Sequence, residues 1–216
     1  RPCPESTEGM GAMAKITDVK PLIMWGGGAG RNWLFVRVET DEGVHGWGEG
    51  SLVNQTSTIA EAVRMLASQI VGHDADAIER HWQVMFLHNR YRGGIIINSA
   101  LSAIDQALWD IKGKTLGVPV YQLLGGAVRD RIRAYTSASN ADIAQERVQK
   151  GFTAVKTASW DVDRDIDESR LPAWLAQHIE AMRRAVGPDV DIMVDNHGRS
   201  TPALAIKQMR AVEDLG

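Results

Sequence analysis

Three side chains stand where an α/β fold would gather its chemistry. Lys156 closes the apolar run Phe152-Thr153-Ala154-Val155, while Asp195 and His197 flank Asn196 in Asp195-Asn196-His197-Gly198-Arg199. In alternating βα sequences the reactive groups sit where strands end and loops begin. Along an extended chain, residues i and i+2 point to the same side, so Asp195 and His197 share a face and Asn196 opposes it. A carboxylate beside an imidazole can bind a hard divalent cation through oxygen while the imidazole handles a proton, a pairing suited to elimination. Lys156 emerges beside them, where burial could lower its pKa for proton chemistry or its charge could anchor a substrate carboxylate. Simpler roles are open for each: Asp195 capping the following loop, His197 bonding locally, Lys156 solvated.

Other motifs carry less. The run Asp161, Asp163, Asp165, Asp167 has the spacing of a calcium loop, but Ile166 replaces the required glycine and Pro172 holds the bidentate glutamate position, so a solvated loop is the reading. Gly26-Gly27-Gly28 lacks the strand-before, helix-after setting of a phosphate loop; a substrate-covering loop through Arg31 or a plain hairpin suits it better. His45, His73, His81, His88 and His178 show no metal-ligand spacing and read as structural.

The elements that must position the three candidates follow from periodicity. Leu34, Val36 and Val38 alternate with Phe35 and Arg37 in a β pattern running from Lys15 to Val38, and Asp41-Glu42-Gly43 turns the chain into a strand ending at Gly50. Helical spacing follows: Ile59, Val63, Leu66 and Ile70, with Thr58 and Glu61 as a capping box; a helix from about Ala75 burying Ile78, Trp82 and Met85; and one from Ser99 to Leu116, stopped by Gly117 and Pro119. Three helices are expected to back the sheet. After Gly125-Gly126 short strands alternate with helices: Ile132 to Thr136, Ala141 to Lys150, Phe152 to Thr157, about Pro172 to Val186, Val190 to Asp195, and Pro202 to Leu215. That is the grammar of parallel βα units.

Composition sets the outer limits. The 216 residues are 44% hydrophobic and 24% charged with a net charge of −3, which is globular and offers no basic stripe for nucleic acid. No apolar run approaches the roughly 18–20 residues that span a bilayer, so no membrane role and a cytoplasmic location are expected. Cys3 is the single cysteine and cannot form an internal disulfide. It lies in residues 1–12, which lack periodicity and read as leader sequence.

Tyr91-Arg92-Gly93-Gly94, the run Ser99-Ala100-Leu101-Ser102-Ala103-Ile104-Asp105-Gln106-Ala107-Leu108-Trp109-Asp110-Ile111-Lys112-Gly113-Lys114, and Pro119-Val120-Tyr121-Gln122-Leu123-Leu124-Gly125-Gly126 form a specific set. From about Lys15 to Gly216 the chain resembles the mandelate racemase and muconate lactonizing branch of the enolase superfamily, and within it the galactonate dehydratase-like enzymes. The resemblance implies an α+β N-terminal capping domain at 13–125, followed at 126–216 by the first three βα units of an incomplete TIM-type (β/α) barrel. It implies a magnesium-binding aspartate at Asp195, and at His197 the acid that protonates a departing hydroxyl. The implied reaction is that of a hydro-lyase in carbohydrate-acid catabolism: Mg2+-dependent dehydration of an aldonate of the galactonate or gluconate type to a 2-keto-3-deoxy acid. Magnesium would spread the charge that builds when the proton α to a carboxylate is removed.

Two departures qualify the implication. Racemases and cycloisomerases of this branch carry Lys-x-Lys on the second barrel strand, whereas Lys156 is followed by Thr157 and Ala158, which leaves Lys156 an electrostatic or carboxylate-binding role. The family's remaining metal-ligand glutamates and its later histidine base lie beyond Gly216, so this chain alone is expected not to turn over. The partners implied are a small sugar acid and further copies of the chain in a homo-oligomer. The alternatives are a racemase or epimerase of the same superfamily, and a non-catalytic fragment acting by assembly with another chain.

Overall fold

The structure, a computed structural model, describes residues 14–27, 32–87, 92–160 and 168–215. Residues 1–12, read above as leader sequence, His88, Tyr91, the acidic run 161–167 and most of the glycine loop, residues 28–31, lie outside the described residues. The chain separates into two compact units, Arg1–Val128 and Arg129–Gly216.

In the first unit β1 (Ile16–Trp25), β2 (Asn32–Thr40) and β3 (His45–Glu49) form an antiparallel sheet in that order. Period-2 patterning explains its sidedness, because Leu34, Val36 and Val38 are fully buried on one face. Gly43, with φ of 79°, takes the left-handed conformation that reverses the chain between β2 and β3. Helices α1 (Thr56–Ala67) and α3 (Ile95–Leu116) cover the buried face, and α2 (Ile78–Leu87) packs chiefly on α3. The short α4 (Val120–Leu123) follows the left-handed cap at Gly117.

Helix α3 lies unusually close to β3. A Cβ added at Gly46 would sit 1.9 Å from the carbonyl oxygen of Ala107, and one at Gly48 1.9 Å from that of Ala103. That approach lets α3 side chains serve the open backbone edge of β3. Asp110 Oδ2 accepts from the Trp47 amide at 2.9 Å, Gln106 Oε1 accepts from the Glu49 amide at 3.0 Å, and Lys114 Nζ donates to the His45 carbonyl at 2.8 Å. A helix thus satisfies donors and acceptors that a neighbouring strand would otherwise take.

Several details of the first unit differ from the sequence expectation. Helix α1 begins at Thr56 behind Gln55, which makes no side-chain cap, and Glu61 pairs with Arg64 at 2.8 Å, so Thr58 and Glu61 form no capping box. Starting the helix earlier puts Thr58 inside the first turn, where it cannot act as the cap. On α2 the buried positions are Ile78, His81 and Met85, while Trp82 stays 38% exposed and stacks on Phe86 at 5.0 Å. Positions i+3 and i+4 both lie on a helix's inner face. His81 wins the place because its Nε2 donates to the Asp74 carbonyl at 2.6 Å, satisfying a ring that burial would otherwise leave unpaired.

The second unit is a parallel sheet, β4 (Thr136–Ser137), β5 (Ala154–Ala158) and β6 (Asp191–Asp195), with α5 (Ala141–Gln149), α6 (Leu171–Val186) and α7 (Pro202–Val212) following the strands in turn. These are the opening βα units of a (β/α) barrel. The helix punctuation is as the sequence dictates: Asn140 caps α5 through Ile143, Gly187 ends α6, and Thr201 Oγ1 accepts from the Leu204 amide ahead of Pro202.

The first strand is shorter and later than expected. Ile132 is 89% exposed and β4 reduces to Thr136–Ser137. Ahead of it the Arg133 guanidinium takes the ladder's place, with Nη2 on the Thr153 carbonyl at 2.7 Å, Nε on Thr153 Oγ1 at 2.9 Å and Nη1 on Asp191 Oδ2 at 2.6 Å.

Candidate active site

Parallel pairing of β5 with β6 places Lys156 opposite Met193 and Ala158 opposite Asp195. The strand ends therefore stand side by side, and all three candidates meet there. Lys156 Nζ lies 2.8 Å from Asp195 Oδ2, and His197 Nδ1 lies 2.9 Å from Asp195 Oδ1. The His197 amide also donates to Asp195 Oδ1 at 3.1 Å. The Lys156 and Asp195 side chains are 28% and 27% exposed, so the pair sits at a rim rather than in a dry interior.

The contact is made in a different way from the one extended geometry suggests. His197 adopts φ of 51° and Gly198 of 65°, so the chain leaves β6 in a left-handed turn instead of running on as a strand. A left-handed conformation at a residue bearing a Cβ costs about 1–2 kcal/mol. The turn folds the His197 ring back over Asp195 and sends Asn196 the other way, against Ser159, Ser200 and Gln208.

The electrostatics follow from these contacts. The hydrogen bond from the Lys156 ammonium, more than any other influence, holds the Asp195 carboxyl below the usual carboxylate range; the His197 amide and ring add to it, and partial desolvation opposes it. With Nδ1 directed at the Asp195 carboxylate, the ring is oriented and Nε2 is the nitrogen left for other chemistry. The arrangement can hold a negative charge steady and transfer a proton next to it.

Three neighbours carry signals that the strand-end reading missed. Tyr135 presents its ring 5.8 Å from Lys156 Nζ, Trp160 meets the His197 ring edge-on at 5.2 Å, and the Arg199 guanidinium lies over Trp160 at 4.2 Å. Trp160 and Arg199 lie just past the ends of the same two strands, a position the sequence shows. Of the other histidines, His178 bonds Thr157 Oγ1 at 2.8 Å through Nε2 and stacks on Trp174, His45 meets Trp47 edge-on, and His73 lies near the Val71 carbonyl at 3.3 Å. None of these lies among the candidates.

Fitness for a metal can be judged from the donors present. Magnesium demands near-octahedral oxygen coordination, usually with more than one carboxylate. Among the described residues no three His, Cys, Asp or Glu side chains gather to hold an ion, and both Asp195 oxygens are engaged by Lys156 and His197. The described residues therefore do not form a magnesium site by themselves. An open cleft of about 490 Å3 in the first unit, lined by Glu49, Ser51, Asn98 and Ser102 among others, holds none of the three candidates.

Comparison with known proteins bears on both units. Residues 13–125 match the family model described as mandelate racemase / muconate lactonizing enzyme, N-terminal domain, and residues 139–216 match that of enolase C-terminal domain-like proteins. A D-galactonate dehydratase of Verminephrobacter eiseniae is 42% identical over 189 residues, which are 85% of this chain and 50% of that protein. The chain spans about half the length of the curated relatives it matches. Among solved structures, a member of the enolase superfamily from Salmonella Typhimurium superposes with a TM-score of 0.85 at 31% identity, over 94% of this chain and 60% of that one. An enolase from Pantoea ananatis, solved with bound D-gluconate and magnesium, gives 0.83 at 28% identity, over 94% and 58%.

Proposed function

The chain belongs to the mandelate racemase / muconate lactonizing enzyme family of the enolase superfamily, and from that premise we propose that it forms part of a magnesium-dependent sugar-acid dehydratase acting on an aldonate of the galactonate or gluconate type. The single observation that carries the reading is the compact trio at the strand ends, where Asp195 is bonded on one side by Lys156 and on the other by His197.

In the reaction the proton α to the carboxylate goes to a base not assigned to any residue of this chain, and the β-carbon to oxygen bond breaks. The His197 imidazolium gives its Nε2 proton to the leaving hydroxyl, which departs as water, and the enol that remains tautomerises to the 2-keto-3-deoxy acid. Asp195 fixes the ring and steadies its positive charge before transfer. Lys156 places a second cation beside the site, suited to the substrate carboxylate. Asp195 would be one ligand of a magnesium ion, which when bound supplies positive charge at the substrate carboxylate. A homo-oligomer and a cytoplasmic setting belong to the same proposal.

The test is His197→Asn in a preparation that dehydrates an aldonate. Dehydration is expected to fall by about 10²–10⁴-fold, while exchange of the α-proton with solvent continues. Dehydration at the wild-type rate would remove His197 from the role of acid.

A further inference from the structure

Behind the turn that carries His197 lies a polar cluster in an otherwise apolar place. Gln208 on α7 is 3% exposed and Ser159, one residue past β5, is 2% exposed. Gln208 Nε2 donates to the Ser159 carbonyl at 2.8 Å, and Gln208 Oε1 accepts from Ser200 Oγ at 2.7 Å. Asn196 closes the circuit: its Nδ2 reaches Ser200 Oγ at 2.7 Å, Ser159 Oγ at 3.2 Å and Gln208 Oε1 at 3.5 Å, and its Oδ1 accepts from the Ser200 amide at 3.2 Å.

Burying a glutamine on a helix whose neighbouring inward residue is Leu204 is unfavourable unless each polar atom is paired, and here both ends of the amide are. A network so completely bonded holds one arrangement of the chain against others. The arrangement it holds is the one with Asn196 turned inward. Asn196 sits between Asp195 and His197, and His197 is in the left-handed conformation that a residue with a Cβ adopts only when its surroundings enforce it. Released from the cluster, residues 196–198 would relax to ordinary backbone angles and take the His197 ring off Asp195.

We propose that Gln208 is a positioning residue: through Asn196 and Ser200 it pins the turn that keeps the His197 imidazole on the Asp195 carboxylate. It touches neither member of that pair and acts only through the turn. The inference rests on the reading of His197 as the proton donor, but its test reads geometry without requiring turnover.

The experiment compares the 216-residue chain with its Gln208→Leu and Ser200→Ala variants by 15N relaxation and by the imidazole 15N spectrum of His197. In the wild type, residues 196–198 should show order parameters near those of rigid backbone, about 0.85. In Q208L they should fall below about 0.6, and the His197 Nδ1 resonance should move toward that of a free imidazole, while Val155 and Ile192 in the strands stay rigid. S200A, which removes two links and leaves the core untouched, should shift the same signals in the same direction by less. Unchanged order and an unchanged His197 resonance in either folded variant would overturn the proposal, as would an equal loss of order throughout β5 and β6. If Q208L does not fold, S200A decides alone. A His197 that comes loose in Q208L, while H197N still dehydrates at the wild-type rate, would retire the catalytic reading and leave the positioning role standing.

Discussion

At the scale of single residues, the Asp195 carboxyl is held down chiefly by one hydrogen bond, that from Lys156. Lys156→Met should therefore raise the Asp195 pKa toward the ordinary carboxylate value, read from the pH dependence of its 13Cγ shift. Because the folded pKa lies below the unfolded one, the pair's contribution to stability is present above the unfolded value near 3.8 and is lost as pH falls through the folded value. His81 has the opposite chemistry. Burial, its largest influence, lowers its pKa below 6.5, and its Nε2 donates to a carbonyl that cannot donate back. Protonation is thus favoured in the unfolded chain, which takes up more protons as pH drops, so stability is full above pH 6.5 and declines as pH falls through it. The melting temperature of the first unit should fall between about pH 7.5 and about pH 5.5, roughly one unit either side of the ordinary histidine value. His81→Gln, which keeps a donor for the Asp74 carbonyl, should flatten that slope. That Lys156, Asp195 and His197 stand together at strand ends was legible, because adjacent parallel strands end side by side. The way they meet was not, since a left-handed turn at His197 leaves no compositional mark beyond the glycine that follows it.

At the scale of elements, the contact of α3 with β3 depends on two missing side chains. A methyl at Gly48 would fall 1.9 Å from the Ala103 carbonyl oxygen, which is helix backbone and cannot swing aside. Gly48→Ala, and likewise Gly46→Ala, should destabilise the first unit by about 2–4 kcal/mol, measured by urea unfolding. Asp110→Ala removes one of the edge bonds from a partly exposed site and should cost only about 1 kcal/mol. Most strand and helix identities in both units followed from period and from the glycines and prolines that punctuate it, though the short α4 did not. The sequence expectation failed where two equally periodic choices competed, as between His81 and Trp82, and hydrophobicity favoured the wrong one. It failed again at Ile132, an apolar β-branched residue that stays exposed, beside which the Arg133 guanidinium holds the Thr153 carbonyl in place of a strand ladder.

At the scale of the molecule the two units differ in how much core each encloses. Among the described residues, 22 buried side chains form the cluster of the first unit and five that of the second. Since resistance to unfolding tracks the apolar surface enclosed, the second unit should open first. With 5-fluorotryptophan in place of tryptophan, the resonances of Trp160 and Trp174 are expected to change at a lower urea concentration than those of Trp82 and Trp109. Coincident transitions would indicate one cooperative block. The side chains that α3 lends to β3 have a further consequence, for the company this protein keeps when crowded. A foreign extended peptide arriving at that flank finds its docking positions already occupied by an aspartate, a glutamine and a lysine anchored on a rigid rod. The opposite flank, β1, interrupts its row of donors with Pro21. The sheet is therefore blunted at both margins, by borrowed side chains on one and by an imino acid on the other.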